Sequence, residues 1–160
     1  MTGELSDSLR LRAATSLDES FLRRVYASTR AEELALAPWT EEEKEKFTSQ
    51  QFAAQDAHYR TYYPTSQFLV IEHRGENIGR LYIDHWSRET RIMDISILPQ
   101  YRGTGIGTEL IRQMQEEART AGKSLSIHVE KLNPALRLYE RLGFRTKEDK
   151  GVYLLMEWNG

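Results

Sequence analysis

The chain has 160 residues, with 39% hydrophobic and 29% charged side chains, a formal net charge of −2 and no cysteine. This length favours a single domain over residues 1–160, and the charge gives no support to an extended nucleic-acid surface. No apolar run reaches about 18 residues, the opening MTGELSDSLRLR lacks a secretory h-region, and the missing cysteine excludes disulfides and a cysteine nucleophile. The composition predicts a soluble, cytoplasmic protein that has no membrane partner and begins with a loose polar tail, residues 1–8.

The first half of the chain predicts one strand and two helices. Leucines alternate with other residues in LRLRAAT, residues 9–15, which predicts a strand. Apolar residues at helical spacing in residues 17–29 predict a first helix. A second helix is predicted over residues 40–59, because Thr40 and Glu43 have the spacing of a capping box.

The second half predicts three antiparallel strands followed by a helix. Residues 67–73, 77–86 and 91–98 are apolar runs with short connections, which is typical of a meander. A helix is predicted from about residue 104 to 121, with its inner face formed by Ile106, Leu110, Ile111, Met114 and Ala118.

The last forty residues predict a strand, a short helix and a hairpin. SLSIHVE, residues 124–130, alternates as a strand does, and Asn133-Pro134 is typical of a helix start. The short helix ends at Gly143, and residues 144–158 then predict a hairpin. The element order βααβββαβαββ predicts an α+β fold, with layers α/β/α and a mixed, mostly antiparallel central sheet.

A glycine-rich loop connects the third meander strand to the following helix. In ILPQYRGTGIGTEL, residues 97–110, Gly103, Gly105 and Gly107 alternate behind Arg102. Glycines let the backbone approach a ligand, and the first amides of a helix have no internal partners and carry partial positive charge. The loop therefore predicts a phosphate-binding turn, to which Arg102 adds a cation.

Two common nucleotide motifs do not fit this loop. A Walker loop requires a lysine after its last glycine, and none follows Gly107. The dinucleotide fingerprint GxGxxG belongs to a parallel βαβ unit, whereas this chain has GxGxG after an antiparallel meander.

The pattern Arg102-x-x-Gly105-x-Gly107 resembles instead the acetyl-CoA pyrophosphate motif of the GNAT family of N-acetyltransferases. The resemblance covers about residues 9–158. It rests also on SIHVEKLNPALRLYERLGF, residues 126–144, and on the two helices that follow the first strand.

The resemblance implies a donor site for acetyl-CoA and no metal. It places the backbone of Ile97 and Leu98 against the pantetheine arm, and it implies that Asn133 contacts the cofactor and that Tyr139 protonates the departing thiolate. A positioned general acid typically contributes ~10²–10⁴-fold to a rate. The residues that would surround the pyrophosphate are Arg102, Gly103, Thr104, Gly105, Ile106, Gly107 and Thr108.

The general base is less well defined by the sequence. An amine acceptor must lose a proton, because a lysine-like ammonium has a pKa of about 10.4. Asp94, a charge within the apolar strand RIMDISIL, is the first candidate, and it could equally brace the loop. The other candidates are His128, Glu130, Asp84 and His85.

The leading hypothesis is direct acetyl transfer from acetyl-CoA to a primary amine in a ternary complex. The acceptor is a small amine, a peptide N-terminus or a lysine, and monomer and homodimer are both open. One alternative is an inactive acyl-CoA-binding sensor or regulatory module. Another is a nucleotide-binding enzyme that uses the glycine loop.

Overall fold

The computed structural model describes residues 3–4 and 9–160, which form an eight-stranded mixed sheet with helices on both faces. The helices are α1 (Glu19–Ala35), α2 (Glu41–Tyr62), α3 (Ile106–Ala121) and α4 (Leu136–Arg141). The strands are β1 (Gly3–Glu4), β2 (Leu9–Ala13), β3 (Gln67–His73), β4 (Glu76–His85), β5 (Glu89–Ile97), β6 (Ser124–Glu130), β7 (Arg145–Asp149) and β8 (Tyr153–Trp158).

The strand order in the sheet is β1-β2-β3-β4-β5-β6-β8-β7. All neighbouring pairs are antiparallel except β5 and β6, which are parallel and joined through α3. The predicted meander is confirmed as β3-β4-β5, and the predicted α+β class with a mostly antiparallel sheet is confirmed. The two-residue β1 is additional to the predicted order. It falls in the predicted tail, residues 1–8, the rest of which lies outside the described residues.

The start of α2 was predicted correctly from the sequence, whereas the end of α1 was not. Helix α2 begins with the predicted capping box: the Thr40 hydroxyl accepts from the Glu43 amide at 3.1 Å, and the Glu43 carboxylate accepts from the Thr40 amide at 3.0 Å. Helix α1 continues to Ala35, beyond the predicted end at residue 29. Residues 30–35 are mostly strong helix formers with no breaker before Pro38, which explains the extension. None of the described helices is long and apolar enough to cross a membrane.

The sheet separates two hydrophobic clusters. The side chains of Leu69 and Ile71 belong to the large cluster, which includes the whole predicted inner face of α3. Val70, which points to the other face, packs with Tyr26 of α1 and Phe52 of α2 in a smaller cluster. Alternation along each strand therefore determines whether a side chain faces α3 or faces α1 and α2.

An opening between β5 and β6 interrupts the centre of the sheet. The parallel ladder pairs Glu89–Ile92 with Ser124–Ile127 and then stops, although β5 continues to Ile97 and β6 to Glu130. The register of β4 against β5 also shifts between Tyr82 and Ile83, which is a β-bulge. Bulges bend the bulged strand and increase its twist. We call the gap between residues 93–97 of β5 and residues 128–130 of β6 the wedge.

Candidate active site

The glycine loop, residues 102–108, leaves open space next to its backbone. Gly103 and Gly105 have φ angles of +74° and +86°, a left-handed region that favours glycine. A Cβ atom built on either residue would have nothing within 4 Å among the described atoms. The space beside these two glycines is therefore accessible to a ligand.

The amides of the loop have no backbone partner within the described residues. From Gly103 through Thr108, none donates to a backbone carbonyl, and the first such bond is from Glu109 to Gly105 at 3.0 Å. Free amides at the N-terminus of a sixteen-residue helix bind anions well, because they add to the positive end of the helix dipole. The loop therefore has the chemistry that a pyrophosphate requires.

A shallow depression continues from the loop along α3. Its lining residues are Gly105, Thr108, Glu109, Arg112 and Gln113. The sequence analysis did not single out Arg112, although it follows Thr108 by four residues and such helical neighbours share one face. Arg112 is exposed and places a cation beside the predicted phosphate site.

At the end of β5, where the chain enters the glycine loop, most backbone groups of Ile97 and Leu98 are already hydrogen-bonded within the protein. The side chain of Arg102 turns back and donates from Nε to the Ile97 carbonyl at 2.9 Å. The Leu98 amide donates to the Ile78 carbonyl at 2.8 Å, and the Leu98 carbonyl accepts from the Tyr101 amide at 3.0 Å. The predicted contact of a ligand with the Leu98 backbone therefore does not fit its amide. Since backbone groups alternate along a strand, the amides of Ile97 and Ile95 face the wedge instead.

Tyr139 lies on α4 within the large hydrophobic cluster, where it is 5% exposed and packs against Phe144 at a ring distance of 5.9 Å. Burial is the main cause that raises the pKa of its hydroxyl, and the negative charge of Asp94 is the second cause. Within the described residues this hydroxyl has no hydrogen-bond partner. The phenol is therefore held in the protonated form that a general acid needs.

Asn133 stands before α4 but does not begin it. Its Oδ1 accepts from the Ala135 amide at 2.8 Å, and its carbonyl accepts from the Leu136 amide at 3.0 Å. The helix starts at Leu136, so the predicted start at Asn133-Pro134 is wrong by two residues. An asparagine turn precedes the helix and uses the side-chain oxygen that was expected to cap it.

Asp94 is held in an ion pair on the face of the sheet covered by α1 and α2. Arg80 donates from Nη2 to Oδ2 at 2.7 Å and from Nε to Oδ1 at 3.3 Å, and the Ser96 hydroxyl donates to Oδ1 at 2.8 Å. Both carboxylate oxygens are thus occupied, one of them twice, and the guanidinium does not deprotonate. This geometry favours a structural role over the tentative role as base, and the partner is Arg80 rather than the loop.

Arg80 is the buried centre of a polar cluster that also contains the half-buried side chains of Gln55, Asp94 and Ser96; we call it the buried polar cluster. The arginine is 1% exposed and also donates from Nη2 to the Gln55 side chain on α2 at 2.8 Å. Its guanidinium carbon lies 4.7 Å from the ring centre of Tyr82, an arrangement typical of a cation–π contact. An arginine within an apolar strand, NIGRLYID, was the available sequence signal for this cluster.

The remaining base candidates have different environments. Asp84 is 3% exposed and accepts from the Thr65 hydroxyl at 3.0 Å. His85 Nδ1 lies 3.4 Å from the Thr90 hydroxyl. Burial lowers the pKa of His128, which lies at the closed end of the wedge, and Arg91 lowers it further. Among the described residues, Glu130, also at the wedge, accepts a single hydrogen bond, from the Tyr153 hydroxyl at 3.5 Å, and Arg30 is a charged neighbour. Its carboxylate is therefore less strongly held than that of Asp84.

Comparison with known proteins gives a family match over most of the chain. A sequence model of the acetyltransferase (GNAT) family matches residues 27–144. Streptothricin acetyltransferase of Streptomyces lavendulae is 33% identical over 81 residues, which cover 48% of this chain and 43% of that protein. Thialysine N-epsilon-acetyltransferase of Mus musculus is 31% identical over 103 residues, covering 57% and 61% respectively. The chain thus spans about half the length of these relatives.

Solved structures show the same fold at low sequence identity. The PaiA N-acetyltransferase of Thermoplasma acidophilum, in complex with coenzyme A, superposes with a TM-score of 0.72. The match covers 96% of this chain and 99% of that one, at 17% identity. The overall fold is therefore shared with a protein whose structure was solved in complex with coenzyme A.

Proposed function

The chain belongs to the GNAT acetyltransferase family, and we propose that it transfers the acetyl group of acetyl-CoA directly to a primary amine. The observation that carries the proposal is the glycine loop with its free amides, which follows directly from the strand that borders the wedge. The loop and the wedge together can thus bind a ligand that has an anionic group at one end and a thin, extended chain attached to it. We take residues 1–160 to act as one domain.

The donor substrate fits the residues that line this surface. The open space beside Gly103 and Gly105 admits a ligand close to the backbone, and the residue 103–108 amides need acceptors such as phosphate oxygens. The wedge-facing amides of Ile95 and Ile97 would hold the pantetheine arm. The residues proposed around the pyrophosphate are Arg102, Gly103, Thr104, Gly105, Ile106, Gly107 and Thr108, with Asn133 also near the donor.

The chemistry requires one proton to be removed and another to be supplied. Acetyl-CoA supplies an activated thioester. The amine nitrogen bonds to the acetyl carbon as the carbon–sulfur bond breaks, and the sulfur takes the phenolic proton of Tyr139. The acylated nitrogen then gives up its extra proton, which returns the Tyr139 phenolate to the neutral phenol and leaves a neutral amide. The amine must first lose its ammonium proton, and Glu130 accepts it directly or through water, because its carboxylate is less strongly held than that of Asp84.

The acceptor is a primary amine in a small molecule, at a peptide N-terminus or on a lysine. Two of the relatives that match in sequence are named for acetyl transfer to streptothricin and to thialysine. Transfer occurs in a ternary complex without an acyl-enzyme on sulfur, since the chain contains no cysteine.

The test is the release of coenzyme A thiol from acetyl-CoA across a panel of amines. We expect amine-dependent release and a thermal shift with acetyl-CoA but not with ATP or NAD. Tight binding of acetyl-CoA without release on any amine would replace the proposal with a sensor role. Protection by ATP or NAD alone would replace it with a nucleotide-binding function.

A further inference from the structure

Two buried N–H groups on the face covered by α1 and α2 lack a partner within the described residues. They are Nη1 of Arg80 and Nε2 of His128. Buried donors are nearly always hydrogen-bonded, and one left unpaired is destabilising, so each such group requires an explanation. Two of them on one face suggest a ligand group that accepts hydrogen bonds.

The neighbours of His128 determine which ring nitrogen carries the proton. Its Nδ1 lies 3.5 Å from Nη1 of Arg91. Arg91 is held by Ser126, with Nε to Oγ at 2.7 Å, and by Glu89, with Nη2 to Oε2 at 2.8 Å. A guanidinium can only donate, so Nδ1 accepts and Nε2 carries the hydrogen. His128 is therefore a neutral donor at Nε2 rather than a base there.

The two donors lie on the same face of the sheet, on the two strands that neighbour β5. Arg80 lies on β4, opposite Ser96, and its guanidinium reaches Asp94 on β5. His128 is the first residue of β6 after the last paired position, Ile127. It alternates with Ile127 and Val129 of the large cluster, so its ring points to the same face as Arg80. Both donors thus stand beside the place proposed for the thioester arm.

The chemistry of these two groups favours an oxygen ligand, because both donate hydrogen bonds. Asp94 already neutralises Arg80, so the buried polar cluster offers hydrogen bonds without a net charge. An alkylamine or polyamine would leave both N–H groups unsatisfied.

We propose that the acceptor is an amine whose neighbouring carbon bears a carbonyl group, and that Arg80 Nη1 and His128 Nε2 donate hydrogen bonds to that group. An amine next to a carbonyl-bearing carbon is found in free amino acids, at the N-termini of peptides and in aminoacyl amides. This inference rests on the proposed function, because it identifies the second substrate of the same site.

The experiment compares four amines with the wild-type enzyme at saturating acetyl-CoA. Alaninamide and alanine carry the carbonyl group, sec-butylamine has similar size without it, and spermidine represents polyamines. Rates are expressed as kcat/KM for the neutral amine, which corrects for differences in the fraction of each amine that is unprotonated. We expect alaninamide or alanine to exceed sec-butylamine and spermidine by about 10-fold to 100-fold, since the preference reflects one or two buried hydrogen bonds. The ratio of alaninamide to alanine distinguishes an amide from a carboxylate.

Two substitutions at His128 test the assignment of its donor. His128→Leu should lower kcat/KM for the preferred amine toward that of sec-butylamine, with the KM for acetyl-CoA unchanged. His128→Gln, which retains an N–H donor, should keep part of the preference. Arg80→Lys keeps the charge beside Asp94 but lacks the second guanidinium nitrogen, and it should also reduce the preference.

The failure of this inference differs from failure of the proposed function. Equal or better use of sec-butylamine or spermidine by wild type would overturn the inference and leave acetyl transfer intact. A preference that persists in both His128→Leu and Arg80→Lys would also overturn it. Absence of transfer to every amine would overturn the proposed function itself. The wild-type ranking is decisive even if a variant does not fold.

Discussion

The glycine loop and the buried polar cluster lie close to the same wedge but are built in different ways. The loop consists of consecutive residues, its binding groups are backbone amides, and it leaves open space beside Gly103 and Gly105. The cluster draws its side chains from α2, β4 and β5, and its central arginine is 1% exposed. The loop is open before a ligand arrives, whereas the cluster is already packed.

This difference indicates how each region recognises its substrate. Backbone amides can donate hydrogen bonds to any phosphate oxygen, and every residue except proline supplies such an amide whatever its side chain is. A packed cluster of side chains has one arrangement in which its hydrogen bonds are made, so it can discriminate between ligands of similar size. We therefore expect donor binding to tolerate substitution of loop residues that already carry a side chain, such as Thr104, but not of Gly103 or Gly105. We expect acceptor choice to depend on single atoms of the cluster.

The largest expected effect comes from a residue that belongs to neither region. Tyr139→Phe keeps the ring that packs against Phe144 and removes a hydroxyl that has no described partner. We expect kcat to fall by about 10²–10⁴-fold, because the general acid is lost. The KM for acetyl-CoA and the melting temperature should stay close to wild type.

The control for this variant is Tyr62→Phe, which removes a hydroxyl from a residue that is 68% exposed on α2. It should leave kcat unchanged. If Tyr139→Phe retains kcat within about twofold of wild type, the Tyr139 hydroxyl does not act as the general acid, because that role should contribute about 10²–10⁴-fold. The departing sulfur would then be protonated by another group, and the buried phenol would be a packing residue.

Asp94→Asn tests whether the polar cluster is structural or catalytic. The substitution leaves the buried cation of Arg80 without its charge partner, and we expect a loss of about 3–5 kcal/mol in the free energy of unfolding. Asp56→Asn is the matched control, since it breaks a more exposed helix pair with Arg60 at 3.0 Å and should cost less than about 1 kcal/mol. Denaturant titrations measure both values.

The pH dependence of activity separates the two roles of Asp94. If the residue were the base, Asp94→Asn would abolish kcat and remove the acidic limb of the pH–rate profile while the protein stayed folded. We expect instead that the limb persists in the folded fraction and that the variant is mainly less stable. Unchanged stability together with lost kcat would restore Asp94 as the base.

The contrast between the two regions also explains how much the sequence could predict. The Thr40–Glu43 capping box, the meander and the glycine loop are defined by residues close in the chain, and their signals are local. The Arg80–Asp94 pair joins two strands whose register shifts at a bulge, so the alignment of the two residues follows from strand pairing that local patterns do not specify. The sequence identified Asp94 as unusual but not its partner. Similarly, the commitment of the Leu98 amide to Ile78 depends on the position of β4.

Gly105→Val tests the loop against a matched position elsewhere. Gly105 and Gly151 have φ angles of +86° and +90°, and neither has an atom within 4 Å of a built Cβ. A valine at either site should cost about 1–2 kcal/mol of stability, because the left-handed region is strained for it. Only Gly105→Val should also raise the Kd for acetyl-CoA, by about tenfold or more, because its side chain enters the space proposed for the pyrophosphate.

Calorimetric titration and thermal unfolding of the two glycine variants measure these effects together. Equal melting temperatures with unequal Kd values would support the loop as the pyrophosphate site. An unchanged Kd in a folded Gly105→Val protein would remove the loop from the donor site. The stability cost was not evident from the sequence, since it follows from the backbone angle rather than from the glycine spacing.

The smallest expected effect concerns the attachment of α1, which covers the buried polar cluster. Arg12 of β2 donates to Asp18 at 2.7 Å and 2.8 Å just before α1 begins, and the Thr15 amide donates to the same carboxylate at 2.8 Å. The hydrogen bonds from Arg12 are the main cause that lowers the pKa of Asp18 from 3.8 to about 2, against the opposing effect of burial. The folded state therefore favours the charged form, and this contribution to stability is complete above pH 3.8 and is lost as the pH falls through about 2.

Acid should therefore loosen α1 before α3. Hydrogen exchange at pH 4.5 and pH 2.5, corrected for intrinsic rates, should show a greater loss of protection in α1, since the N-terminus of α3 relies on no buried carboxylate among the described residues. Asp18→Asn should cost about 1–2 kcal/mol at pH 7 and remove the difference between the two pH values. If α3 lost protection first, or if the variant kept the same difference, the Arg12–Asp18 pair would not be what attaches α1. The face of the sheet that carries the buried polar cluster would then resist acid as well as the glycine loop does. The contrast between a packed acceptor site and an open donor site would in that case depend on the Arg80–Asp94 pair alone.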